Sequence, residues 1–164
     1  MKSLARSFAA AALALAFAAA APAAHAAGKA CKRIPKDKLP ETVRVDYARA
    51  FGKAPILKCY EMELDGKTLY RIMSKQEKAV VTLRYTSGGV LEEMVEPLKN
   101  EDLPLQVIGS IVTRFPRGKI IGAERVTRGK AVVYAVTITQ LHHEYREVYD
   151  PKGAVLTPAR GESK

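Results

Sequence analysis

The chain has 164 residues, with 27 Lys and Arg against 17 Asp and Glu, two Cys and no Trp. That length allows one domain or two small ones and excludes a barrel enzyme or a multidomain assembly. With 48% hydrophobic and 27% charged residues the chain is not a disordered polyelectrolyte, although a formal charge of +10 first suggests nucleic acid.

The first segment redirects that suggestion. Lys2 and Arg6 precede an uncharged, Ala-rich run from Phe8 to Ala24, and Ala24-His25-Ala26 has the small-x-small form of a cleavage site. Residues 1–26 therefore read as a secretory signal peptide cut after Ala26. Removing Lys2 and Arg6 leaves 25 basic against 17 acidic residues, or +8, on a periplasmic or secreted protein. Export makes genomic DNA an improbable partner and moves the expectation to an acidic envelope component. Residues 27–38 form a basic lead containing Lys29, Lys32, Arg33, Lys36 and Lys38. The two cysteines, Cys31 and Cys59, read as one disulfide in an oxidising compartment, closing a loop worth roughly 3–4 kcal/mol.

From Leu39 onward the chain matches itself at an offset of 64. Leu39-Pro40, Val43, Phe51, Ile56, Tyr70, Gln76, Tyr85 and Gly89 recur as Leu103-Pro104, Val107, Phe115, Ile120, Tyr134, Gln140, Tyr149 and Gly153. Each half opens on Leu-Pro, a good helix start because proline's missing N–H costs nothing in the first turn. Val43, Tyr47, Ala50 and Phe51 form one apolar stripe; Val107, Ile108, Ile111, Val112 and Phe115 form a cleaner one. Gly52 and Pro116 end the two helices.

Strands follow over Ile56–Leu64, Lys67–Ser74, Ala79–Thr86 and Val90–Val95, with Asp65-Gly66 as a hairpin turn. The second half repeats them over Lys119–Thr127, Ala131–Thr139, His143–Tyr149 and Ala154–Thr157. The expected fold class is α+β: two tandem units, 39–98 and 99–157, each a helix packed on its own four-stranded antiparallel sheet. Residues 158–164 read as a flexible tail.

The Leu-Pro-x-x-Val helix start, the Gly66-Lys67-Thr68-Leu69-Tyr70 strand and the spacing of Tyr85 to Gly89 and Tyr149 to Gly153 resemble PepSY-like domains related to the β-lactamase-inhibitor protein fold. The resemblance covers Leu39–Leu156. It implies exported proteins that bind or restrain other proteins, peptidases among them, with no catalytic residues to carry over. It also implies a protein-gripping surface formed by the sheets.

Period-2 alternation places charged residues on a sheet face that one helix leaves open. The candidate protein-binding surface comprises Glu61, Glu63, Arg71, Arg84, Arg125 and Arg146, with an unknown, acidic envelope protein as partner. No HExxH, GxSxG, CxxC, P-loop or GxGxxG occurs, so neither catalytic residues nor a cofactor are expected. His142 and His143 are adjacent, which on a strand points them to opposite faces and disfavours one shared metal. Tyr70 and Tyr134 read as core residues with tethered hydroxyls. A second basic cluster spans Arg114, Arg117, Lys119, Arg125, Arg128 and Lys130. The alternative function is a periplasmic carrier of a small ligand or metal, using the groove between helix and sheet or the two histidines.

Overall fold

The computed structural model describes residues 31–77 and 79–163, with side chains to Thr157. Residues 1–26, expected from sequence to be a signal peptide, and residues 27–30 lie outside the described residues. In chain order the elements are β1 (Lys32–Ile34), α1 (Glu41–Phe51), β2 (Ile56–Leu64), β3 (Lys67–Gln76), β4 (Ala79–Thr86) and β5 (Leu91–Leu98). Then come α2 (Leu105–Arg114), β6 (Lys119–Arg128), β7 (Ala131–Gln140), β8 (His143–Tyr149) and β9 (Val155–Ser163).

The strands do not form two separate four-stranded sheets. All nine pair antiparallel in one sheet, in the order β1 to β9. The expectation of two tandem units, each with its own sheet, is corrected by the junction between β5 and β6. Residues 96–98, which lie beyond the strand expected at Val90–Val95, continue β5. Glu96, Pro97 and Leu98 face Arg125, Glu124 and Ala123 across the join. Once β5 is long enough to pair, an open edge there would leave a row of backbone donors and acceptors unmet, and β6 meets them. β1 is an additional edge strand cut from the basic lead, and β9 runs on through Ser163.

The cross-strand register fixes which side chains share a face. Val43 and Tyr47 of α1 pack with Ile72, Leu83 and Tyr85. Val107 and Ile111 of α2 pack with Ala123, Val136, Ile138 and Tyr149. Leu83 pairs with Met94, Met94 with Thr127, and Leu98 with Ala123, so both helices stand on the same face. Their N-termini start after Pro40 and Pro104, as the Leu-Pro signal implies. Leu39 and Leu103, just before, are buried at 3% and 4% exposure.

Each helix also leans on a turn. Gly89 and Gly153 have φ of +83° and +85°, and a Cβ on either would collide with a helix carbonyl, that of Thr42 or Gln106. Only glycine meets both the backbone angle and the close approach. The Thr42 hydroxyl donates to the Ser87 carbonyl at 2.8 Å, and that of Ser110 to the Gly153 carbonyl at 2.7 Å.

The Cys31–Cys59 disulfide is also corrected: both thiols are free, Cys31 exposed and Cys59 buried. Register supplies the reason. Ile34, not Cys31, lies across from Cys59. Cys31 is three residues further along the chain, a displacement of about 10 Å at strand rise, where a disulfide needs Cα atoms roughly 4.4–6.8 Å apart. Cys59 instead belongs to the core beneath α1, and burial pushes its thiol pKa up.

Candidate functional site

The face opposite the two helices carries the most unusual chemistry. Arg33, Tyr60, Arg71, Arg84 and Glu93 face one another in turn across β1 to β5. Arg128 on β6 reaches Glu93 from the other side, Nε to Oε2 at 2.6 Å. Glu93 also pairs with Arg84 at 3.1 Å, and its side chain is only 7% exposed. One carboxylate is thus clamped between two guanidiniums, a charge-assisted geometry that survives partial burial.

A second rung lies alongside: Lys58, Met73, Thr82, Val95 and Val126. It leads into an apolar cluster of Val126, Val133, Ala135 and Val148, with Val95 against it. Val126 is 1% exposed although both helices stand on the other side of the sheet. Beyond the cluster Arg146 pairs with Glu124 at 2.6 Å. Two guanidinium N–H groups here, Nε of Arg84 and of Arg146, are shut off from solvent and meet no hydrogen-bond acceptor among the described residues.

Of the six surface residues expected from sequence, Arg71, Arg84 and Arg146 lie together on this helix-free face. The other three lie on the helix-bearing face. Glu61 faces Tyr70, a core residue under α1, and Glu63 lies two positions on. Arg125 faces Glu96 and pairs with it at 2.8 Å. A β-bulge between Ile56 and Lys58 turns Ile56 toward the helix while Lys58, Tyr60 and Met62 stay on the open side.

Tyr60 and Glu93 were not singled out in the sequence, although Glu93 stands next to Glu92 in a short alternating strand. Arg128 was visible only as part of a basic cluster. Glu147 was also missed. Its side chain is fully buried and receives Arg114 at 2.7 and 3.1 Å and the Tyr149 hydroxyl at 2.5 Å. The signal was a glutamate in phase with Tyr145 and Tyr149 on an apolar strand face.

Tyr70 is buried, and burial together with the neighbouring Glu61 raises its pKa. His142 sits in the β7–β8 turn and His143 opens β8. Among the described residues no group of three metal-ligating side chains converges. Clefts of about 540 and 390 Å³ flank α2 at Gly153 and α1 at Gly89.

No family model matches the chain, and no curated protein matches it. Solved structures do. A BLIP-like protein from Bacteroides fragilis matches with a TM-score of 0.62 at 12% identity, over 80% of this chain and 89% of that one. The fold is BLIP-like. A DUF2874 family protein from Bacteroides uniformis gives 0.63 at 14% identity, over 74% of this chain and 88% of its own. A candidate periplasmic protein from Bacteroides eggerthii gives 0.64 at 15%, over the same shares. At such identities the likeness shows the BLIP-like fold and not its use.

Proposed function

We propose that this BLIP-like chain is an exported, non-enzymatic module of the cell envelope that holds a protein on the helix-free face of its sheet. One observation carries the reading: that face sets a row of arginines beside the half-buried Met73, Thr82 and Val95, the combination of apolar centre and charged border that protein interfaces use. The signal-peptide pattern at 1–26 supports export, and the periplasmic name of the B. eggerthii structure agrees with it. The PepSY-like label and an ancestral duplication are part of the same reading. The Gly89–Thr42 and Gly153–Gln106 contacts, each partner 64 residues from its counterpart, support the duplication. The non-enzymatic reading rests on the sequence, which carries no nucleophile–base motif, and on the placing of its two described histidines at the β7–β8 turn and the start of β8.

The test is a photocrosslinking amino acid at Thr82, in the centre of the face, compared with one at Val112, exposed on α2. In living cells the Thr82 probe should give a discrete protein adduct that the Val112 probe does not. Equal adducts from both positions, or none from Thr82, would reject the reading. The rival, a small-ligand carrier, is favoured by the two clefts beside the helices. Native mass spectrometry of the protein drawn from its own compartment should then show a bound mass.

A further inference from the structure

The arginine row is not balanced. Arg84 and Arg128 share Glu93, and Glu92 lies 3.6 Å from Arg84 Nε, too far for a hydrogen bond. Arg71 faces Arg84 directly on one side and Tyr60 on the other. Among the described residues no carboxylate pairs with Arg71 or with Arg33. Like charges directly opposite in a sheet repel, so the fold holds Arg71 against Arg84 at a cost that an incoming anion would cancel. The buried Arg84 Nε without an acceptor points the same way.

The neighbouring rungs are not basic throughout. On one side stand Met62, Leu69 and Thr86, and on the other Met73, Thr82 and Val95. A bare phosphate or a polyanion would gain nothing from those methionines. A carboxylate side chain carried between apolar residues would use both features. Guanidinium groups match carboxylates through two parallel N–H donors, and the thioethers adapt to irregular apolar surfaces.

We propose that Arg71 and Arg84 receive an Asp or Glu side chain of the partner, and that the partner presents an acidic segment flanked by apolar residues. This rests on the protein-binding reading of the same face. Arg33 and Tyr60 extend the seat toward the sheet edge.

The probe is a fluorescein-labelled peptide of alternating Glu and Leu, titrated with the full exported chain and followed by anisotropy. A Gln-for-Glu peptide and phosphatidylglycerol vesicles are run beside it. Binding should weaken with salt, and Arg71→Gln should weaken it about tenfold, the worth of one charge-assisted contact. Arg49→Gln, on exposed α1, should leave it unchanged. Equal binding of the Gln peptide, undiminished binding by Arg71→Gln, or Arg71-dependent capture by vesicles in preference to the peptide would overturn the proposal. Should Arg71→Gln melt below wild type, Arg33→Gln on the edge strand serves instead, with about a threefold loss expected; unchanged affinity there also overturns it. A Thr82 crosslink that persists in Arg71→Gln would sink this inference while leaving the broader reading intact. Absence of the crosslink in wild type would sink the broader reading itself.

Discussion

Tyr85 and Tyr149 occupy matching places, both with no exposed surface, yet their hydroxyls differ. That of Tyr149 donates to Glu147, while that of Tyr85 is buried with no partner. Leu83, at the position corresponding to Glu147, offers no acceptor. Removing the unsatisfied hydroxyl should help and removing the satisfied one should hurt. Tyr85→Phe is expected to leave stability unchanged or raise it by about 1 kcal/mol, and Tyr149→Phe to lower it by about 1–3 kcal/mol, as read from urea melts. Both phenol pKa values are raised above the ordinary 10.0, chiefly by burial. Folded and unfolded chains then hold the same phenolic protons up to about pH 9. Above pH 10 the unfolded chain releases protons that the folded chain keeps. Stability should therefore be flat from neutral pH to about 9 and fall above it, by up to about 1.4 kcal/mol per pH unit for each tyrosine. A thermal midpoint that rises between pH 9 and 11 would contradict this assignment.

Single elements show where local signals were legible and where they were not. Asp65-Gly66 announced its hairpin, and the structure gives both residues positive φ. Leu141-His142 makes a turn of the same two-residue kind, with φ of 52° and 65°, a region that histidine visits more readily than leucine does. Strand pairing of Gln140 with His143 imposes it from outside. The double substitution Leu141→Asn, His142→Gly should relieve the strain and raise stability by about 1–2 kcal/mol in a thermal melt. The turns at Gly89 and Gly153 behave oppositely, because each backs onto a helix. Gly153→Ala should cost about 2–4 kcal/mol, far more than the same change at the open Gly66 turn. Near-equal losses would show that α2 is not held by that contact. Helix and strand periods were readable because the buried stripes are strongly apolar. Which face each charged residue would occupy was not. Glu61 and Arg71 both alternate with apolar neighbours, and only the register of β2 against β3 separates them.

At the scale of the whole molecule, the decisive contact is the one the sequence hid. Glu96-Pro97-Leu98 has the composition of a linker, with a proline that cannot donate to a sheet, yet it pairs with β6. Only the partner strand reveals such a pairing, because nothing local marks it. Because β5 and β6 fuse the sheet, and Val95 shares a cluster with Val126, Val133 and Val148, the cores under α1 and α2 should not melt separately. Heat unfolding is expected to show one transition, with calorimetric and van't Hoff enthalpies that agree. Two resolved transitions would mean that the join is weak. The candidate face likewise emerges only at this scale. Arg33, Arg71, Arg84 and Arg128 are scattered over four strands, and the meander brings them into one row.

The strand order has a further consequence. Every strand lies beside its predecessor in the chain, with no crossover anywhere in the sheet. Loop-closure entropy is therefore spent in small steps, hairpin by hairpin, and no segment waits for a distant one to be synthesised or delivered. A polypeptide threaded through a narrow pore from its N-terminus can zip up behind itself, each strand offering the next a ready edge. The architecture suits vectorial assembly: the last strand to emerge completes a sheet whose earlier members are already in place.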